Sequence, residues 1–314
     1  MKFNLKQEFK QQYLMDWKFW FKALAGSFLL CLIIAMYIKG LVEIGTLKNK
    51  LIENLKNMDG YKETEVIAYL NTLKGTELYD KMTWISLNMN FVNESGSLDK
   101  VLKGFMIGAN FGDSTIQTFS YFTTLSNIAV GVWLLLAAFK PQNEGKKGFL
   151  SYGMTLVVTT YITITMLIYN GMLLPQMLAS GRNLTPVGWL ESVVEHMVMP
   201  LAFILYICFF FKSEVCYTKK QFMKKEWWKQ LLVLAIYAIY IMVRGEMRYQ
   251  GGKPKSTQYP YFFMDIHADN MMGMPGWAWL IIAMIFVIAI CLGFSMIYHI
   301  ILTKRNSKNI NQVN

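Results

Sequence analysis

Cysteine, proline and histidine are scarce in this chain, at four, seven and three of 314 residues. The cysteines, Cys31, Cys208, Cys216 and Cys291, fall within apolar blocks or in a lysine-rich connection between two of them. They offer neither a disulfide framework nor the spacing of a metal site. A small-residue cleavage site is missing after the first apolar block, "FLLCLIIAMYI", and the block is long enough to span, so it is kept as a membrane helix rather than an export signal. Internal repeats and low-complexity linkers are absent. Acidic residues number 20 against 31 Lys and Arg, giving a net charge of +11. Nucleic-acid binding would want the basic residues on one folded surface with aromatics between them, a pattern the sequence does not supply.

Apolar residues are what the chain has in excess. They make up 54 % of it, mean hydropathy is positive, and they come in blocks rather than in the short period of a soluble core. A hydrocarbon core of about 30 Å needs roughly 20 helical residues. Six stretches approach that length: 19–39, 122–140, 149–170, 190–211, 227–244 and 276–301. Backbone groups cannot be left unpaired in lipid, so these blocks must be helices, and the expected fold is an all-α six-helix membrane bundle. Lysines and arginines cluster before the first span (Lys2, Lys6, Lys10, Lys18) and between spans two and three (Lys146, Lys147). They recur between four and five (Lys219, Lys220, Lys224, Lys225, Lys229) and after six (Lys304, Arg305, Lys308). Short basic loops stay cytoplasmic, which predicts a cytoplasmic N-terminus (1–18), a cytoplasmic tail (302–314), and 122–301 as the remaining five helices of the bundle. The outer side then holds 40–121, 171–189 and 245–275.

The segment 40–121 is the one long extracytoplasmic element. In "LKNKLIENLKNM", Leu47, Leu51 and Leu55 recur every four residues, predicting an amphipathic helix lying on the membrane face. "ETEVIAYLNTL" and "ELYDKMTWISLNMNFV" predict further short helices. The segment carries no catalytic pattern, and it reads either as a cap over the bundle or as a ligand-gating lid.

Polar residues inside the spans are the candidates for function, because they are costly in lipid and usually face the bundle interior. At the mouth of the second span, "YFTTLSN" places Thr123, Ser126 and Asn127 three and four residues apart, on one helix face. The third span carries Thr155, Thr159 and Thr163, which read best as bonds to the preceding turn. The fourth carries Ser192, Glu195 and His196, and the fifth carries Tyr237, Tyr240 and Arg244. Asn127 alone also reads as packing glue, Glu195 as a partner of Arg244, and Arg244 as a snorkelling interfacial residue. His196 stands in an otherwise apolar helix beside a carboxylate, and reads equally as functional or structural. His299 reads as interfacial, and His267 between Asp265 and Asp269 is a weak metal pattern; no metal or cofactor is expected.

Four short stretches in order, "YFTTLSN", "EHMVMP", "VRG" and "YPYFFMD", resemble the landmarks of the bacterial Pr6Pr membrane-protein family. The matching residues are Phe122, Thr123, Ser126 and Asn127, then His196 and Pro200, then Arg244 and Gly245, then Tyr259, Pro260, Tyr261 and Phe263. The resemblance covers roughly 100–300 and departs from the family at Leu125, where a polar residue is usual, and in the long first outer segment. Eukaryotic relatives of that family, the androgen-induced membrane proteins, are threonine-dependent hydrolases of fatty-acid esters of hydroxy fatty acids. The resemblance therefore implies a multi-pass protein of a bacterial plasma membrane with a lipid-like ester substrate and Thr123 as nucleophile. His196 follows as its base, with a looser histidine-to-proline spacing. Ser126, Asn127 and Arg244 are candidate oxyanion donors, and Tyr240, Arg244 and Tyr261 candidate substrate contacts. The chemistry is sound, since a threonine hydroxyl attacks only when a base takes its proton and histidine titrates in the right range.

Two other classes fit the same residues. A small transporter or channel would show a continuous polar path and broken helices or paired half-repeats, of which Pro200 is the one conspicuous breaker. A non-catalytic lipid-binding or structural membrane protein would have the cavity without an activated nucleophile. Substrate and oligomeric state are not written in the sequence.

Overall fold

The computed structural model describes residues 14–74, 79–93, 99–179, 181, 184–213, 215, 217–271 and 273–311, without the side chains of 306–311. Lys2, Lys6, Lys10, Cys216 and the Lys308 side chain, all used in the sequence reading, lie outside what is described. The chain is mostly helical. Its elements are α1 (Trp17–Asn57), α2 (Glu63–Thr72), β1 (Ile85–Asn93), β2 (Lys100–Ala109), α3 (Phe111–Thr118) and α4 (Phe122–Phe139), followed by α5 (Tyr152–Ala179), α6 (Pro186–Phe210), α7 (Lys219–Gln250) and α8 (Gly276–Asn311). Six of these, α1 and α4 to α8, are long and apolar enough to cross a membrane, which marks a multi-pass membrane protein.

The chain forms two compact units. The membrane unit comprises the chain up to Ile33, Tyr121–Met247 and the chain from Tyr259 onward; the second comprises Ile34–Ser120 and Arg248–Gln258. In the membrane unit α5 is the central helix, with 61 % of its most apolar stretch buried against 11 % for α8. Its threonines close onto the preceding turn: Thr159 and Thr163 each donate to the carbonyl four residues back at 2.7 Å. Trp133, Phe203 and Phe211 fill the core between α4 and α6. α1 and α4 approach closely at a small-residue crossing, where a Cβ on Gly131 would overlap the Leu30 side chain. Lys22, inside the first span, is 2 % exposed; its ammonium is held at 2.8 Å by Glu144 and at 2.9 Å by the Ala137 carbonyl.

The second unit corrects two expectations. Leu47, Leu51 and Leu55 do not lie on a membrane face. They are the far end of α1, a single helix of 41 residues, and pack at 0–1 % exposure against Leu73, Val66 and Leu102. With no proline between 19 and 57 the helix has no reason to stop at the bilayer boundary. The second correction concerns all-α architecture: within "ELYDKMTWISLNMNFV" only Tyr79–Trp84 is helical, a short 3-10 helix, and the rest is β1, paired antiparallel with β2 from Ile85 opposite Ala109 to Asn93 opposite Lys100, with a bulge at Asn90/Phe91. Ile85, Leu87, Met89 and Phe91 alternate with Ser86, Asn88 and Asn90, the period of two that a one-sided strand needs.

Candidate functional site

The first turn of α4 leaves backbone N–H groups without helical partners, and its N-cap, Tyr121, supplies no side-chain acceptor. One of those groups, the Thr123 amide, donates to the Tyr261 hydroxyl at 3.3 Å, so the loop after α7 closes onto the start of α4. Tyr261 is buried, stacked on Phe263 at 5.2 Å and edge-on to Tyr121 at 5.9 Å. Burial pushes its phenol up to about 12, against the opposing pull of the Thr123 amide and hydroxyl, so at neutral pH it is an uncharged hydrogen-bonding group. The loop is seated by Gly245, whose missing Cβ leaves room for the Tyr259 ring.

Beneath this contact lies a partly open cavity of about 200 Å³, walled by α4, α5, α7, α8 and the loop. Ile164, Leu231, Leu234, Ala283 and Val287 make it almost wholly apolar; Thr123, Thr165, Tyr237 and Tyr261 are among its lining residues but turn almost no polar surface into it. Thr123 lines it; Thr124 is not among its lining residues. A second apolar hollow, lined by Met172, Trp279 and Phe286, shares Ile168, Phe263, Ala283 and Val287 with the first.

The other sequence candidates are arranged around the back of Thr123. Ser126 bonds Thr165 at 2.6 Å and the Thr123 carbonyl at 3.0 Å. Asn127, fully buried, gives its amide nitrogen to the carbonyls of Thr123 (3.0 Å) and Glu195 (3.1 Å). Both amide hydrogens are thereby committed, which argues against the expected role of oxyanion donor and for the packing reading. Tyr240 is 44 % exposed and outside the cavity wall, whereas Tyr237 of the same helix is in it; the substrate contact expected of Tyr240 is not supported by its placement. Arg244 is buried at 8 % exposure and is likewise absent from the lining.

His196 sits in a π turn of α6, Val194–Val198, opposite a second π turn in α5, Tyr169–Leu173. Such turns interrupt the regular ladder and free carbonyls for other donors. Here Asn127 takes the Glu195 carbonyl, and Asn170 takes that of His196 at 2.8 Å. The His196 ring stacks on Tyr169 at 3.5 Å and its Nδ1 lies 3.0 Å from the Ser192 carbonyl, while the Tyr169 hydroxyl meets Ser192 Oγ at 2.8 Å. A carbonyl partner requires the proton on Nδ1, which leaves Nε2 as the basic nitrogen. His196 is not among the cavity-lining residues; it is joined to Thr123 through the Asn127 bridge between the two backbones. Asn170 and Tyr169 were missed in the sequence, although an Asn within an apolar span was a legible signal.

His267 pairs with Glu246 at 2.6 Å, and the Asp265 carboxylate accepts from the His267 amide. Among the described residues no group of three or more His, Cys, Asp or Glu is placed to hold a metal ion. Comparison of the chain with protein-family models, with curated proteins and with solved structures gives no match.

Proposed function

We propose that the membrane unit binds a lipid by taking its hydrocarbon part into the cavity and meeting its polar head at Thr123 and Tyr261. The observation that carries this reading is the lining: it is almost wholly apolar, and Thr123 and Tyr261, joined by the bond from the Thr123 amide to the Tyr261 hydroxyl, are among its residues. An acyl chain removed from water into such a wall gains contact without desolvating polar groups, and Thr123 and Tyr261 are the lining residues nearest in chemistry to a polar head.

A second reading, hydrolysis of a lipid ester by Thr123, is favoured by the place of Thr123 in the cavity lining and by the Nδ1-protonated tautomer of His196. The motif resemblance to the Pr6Pr family supports it as well. In this reading Thr123 Oγ attacks the ester carbonyl while His196 Nε2, once α6 brings it to the wall, takes the threonine proton and Tyr261 donates to the developing oxyanion. The C–O bond to the alcohol then breaks, the alcohol leaves with that proton, and water activated by His196 cleaves the acyl-threonine to release the acid. One paired experiment tests both readings: retention of a fluorescent long-chain acyl ester by purified protein, and labelling by a fluorophosphonate hydrolase probe. Ala235→Trp and Ala283→Trp, which fill the cavity, are expected to abolish retention; unchanged retention in both refutes the cavity as the lipid site. Labelling lost in Thr123→Ala and His196→Ala but kept in Thr124→Ala supports catalysis, and an unlabelled wild type that retains the ester leaves binding alone.

A further inference from the structure

We propose that the lysine-rich face formed by the α4–α5 connection, the α6–α7 connection and the start of α7 is a docking surface for the headgroups of anionic phospholipids. The two connections are one surface. Gly145 packs against Lys212 and Ser213, whose hydroxyl donates to the Gly145 carbonyl at 3.3 Å. Gly153 lies directly under the Glu226 carboxylate, and Tyr152 meets Tyr217 edge-on at 6.0 Å. The end of α8 completes the floor, with His299 stacked on Phe222 at 4.2 Å and bonded through Nδ1 to Tyr152 at 2.7 Å.

Charge is sorted across this surface. The carboxylates described here point inward: Glu144 holds buried Lys22, and Glu226, 8 % exposed, is covered by Lys229 at 2.8 Å. The lysines point outward: Lys147, Lys212, Lys219, Lys220, Lys224 and Lys225 are all exposed. Lys225 is steadied over the Tyr217 ring at 5.3 Å. Interleaved with them at the start of a membrane-crossing helix, Met223 and Trp228 are 45 % and 52 % exposed. Ammonium groups beside an exposed indole and thioether at the end of a span match a membrane interface, where phosphates meet the lysines and the apolar groups enter the acyl boundary. This surface is independent of the cavity and of the lipid reading given to it.

The test uses the full chain in mild detergent with equimolar phosphatidylglycerol and phosphatidylcholine, and quantifies the lipids that stay with the protein after gel filtration. The wild type should retain phosphatidylglycerol over phosphatidylcholine by about tenfold or more. Lys219→Gln, Lys220→Gln, Lys224→Gln and Lys225→Gln together should bring the ratio near unity. A control of equal charge loss in the second unit (Lys50, Lys56, Lys100 and Lys103 to Gln) should leave it unchanged. Equal retention of both lipids by the wild type overturns the proposal, as does an equal loss in the control. Should the test variant fail to fold, wild-type salt dependence decides: at 1 M salt, where screening acts within about 3 Å, the preference should collapse, and its persistence overturns the proposal. Displacement of phosphatidylglycerol by an equal concentration of glycerol phosphate would also overturn it, in favour of a soluble phosphate ligand.

Discussion

Asn127 gives both hydrogens of its amide to carbonyls of two different helices, one of them exposed by a π turn. Replacing it with Leu keeps the volume but removes the amide that donates to the Glu195 carbonyl inside the membrane. The expected cost is about 1–2 kcal/mol, read as a lowered unfolding temperature in detergent, with Asn127→Gln no better because the longer side chain cannot span the same two acceptors. Tyr261 makes a pH prediction. Its folded pKa of about 12 lies above the ordinary tyrosine value of 10.0, so the native state holds its proton more tightly than the unfolded chain. Its contribution is complete below pH 10 and is lost as pH rises through about 12, an effect on the order of 2–3 kcal/mol. Unfolding temperature against pH should therefore fall more steeply over that window in the wild type than in Tyr261→Phe; parallel curves would show that the phenol is not held this way.

At the scale of elements, Lys22 and Glu144 tie α1 to the end of α4, and the Tyr206 hydroxyl of α6 reaches the same carboxylate at 3.4 Å. The side chains are only 3 % and 12 % exposed, so breaking the pair leaves an uncompensated charge. Lys22→Met alone should lower stability by about 3–5 kcal/mol, and Lys22→Met with Glu144→Gln should recover most of that loss, because a neutral pair has little to desolvate. Thermal unfolding of both variants checks it; a double variant as unstable as the single one would mean that packing, not charge, is what Lys22 supplies. The sequence reading passed over Lys22 because a single lysine in an apolar run looks like a boundary residue until its partner is known, and that partner is 122 residues away.

At the scale of the whole molecule, six helices are long and apolar enough to cross a membrane, and six crossings predict that the α4–α5 and α6–α7 connections share one side while the segment between α1 and α4 faces the other. Single-cysteine reporters at Lys147 and Lys220, in an otherwise cysteine-free chain, should react with an impermeant maleimide from one side of a sealed vesicle. Reporters at Lys56 and Lys100 should react from the other, and labelling of all four from one side would require a different number of crossings. The six spans were legible because each is a long block whose backbone can be satisfied in lipid only as a helix. The face shared by Thr123, Ser126 and Asn127 was legible because helical spacing is a local property. The strand Ile85–Asn93 was legible too, in its alternation, but was read as helix because short apolar runs do not distinguish the two by composition. Which polar groups meet was not legible. Whether Thr123 or Thr124 lines the cavity, whether Asn127 has hydrogens to spare, and whether His196 turns toward Ser192 depend on contacts between helices. The sequence by itself determined the membrane class, the helices and the face of α4 that carries hydroxyls, since these follow from hydropathy and the 3.6-residue turn. Only the tertiary structure decided that Thr123 and Tyr261 line one apolar cavity and that Leu47, Leu51 and Leu55 lie in a protein core, because both are set by residues far apart in the chain.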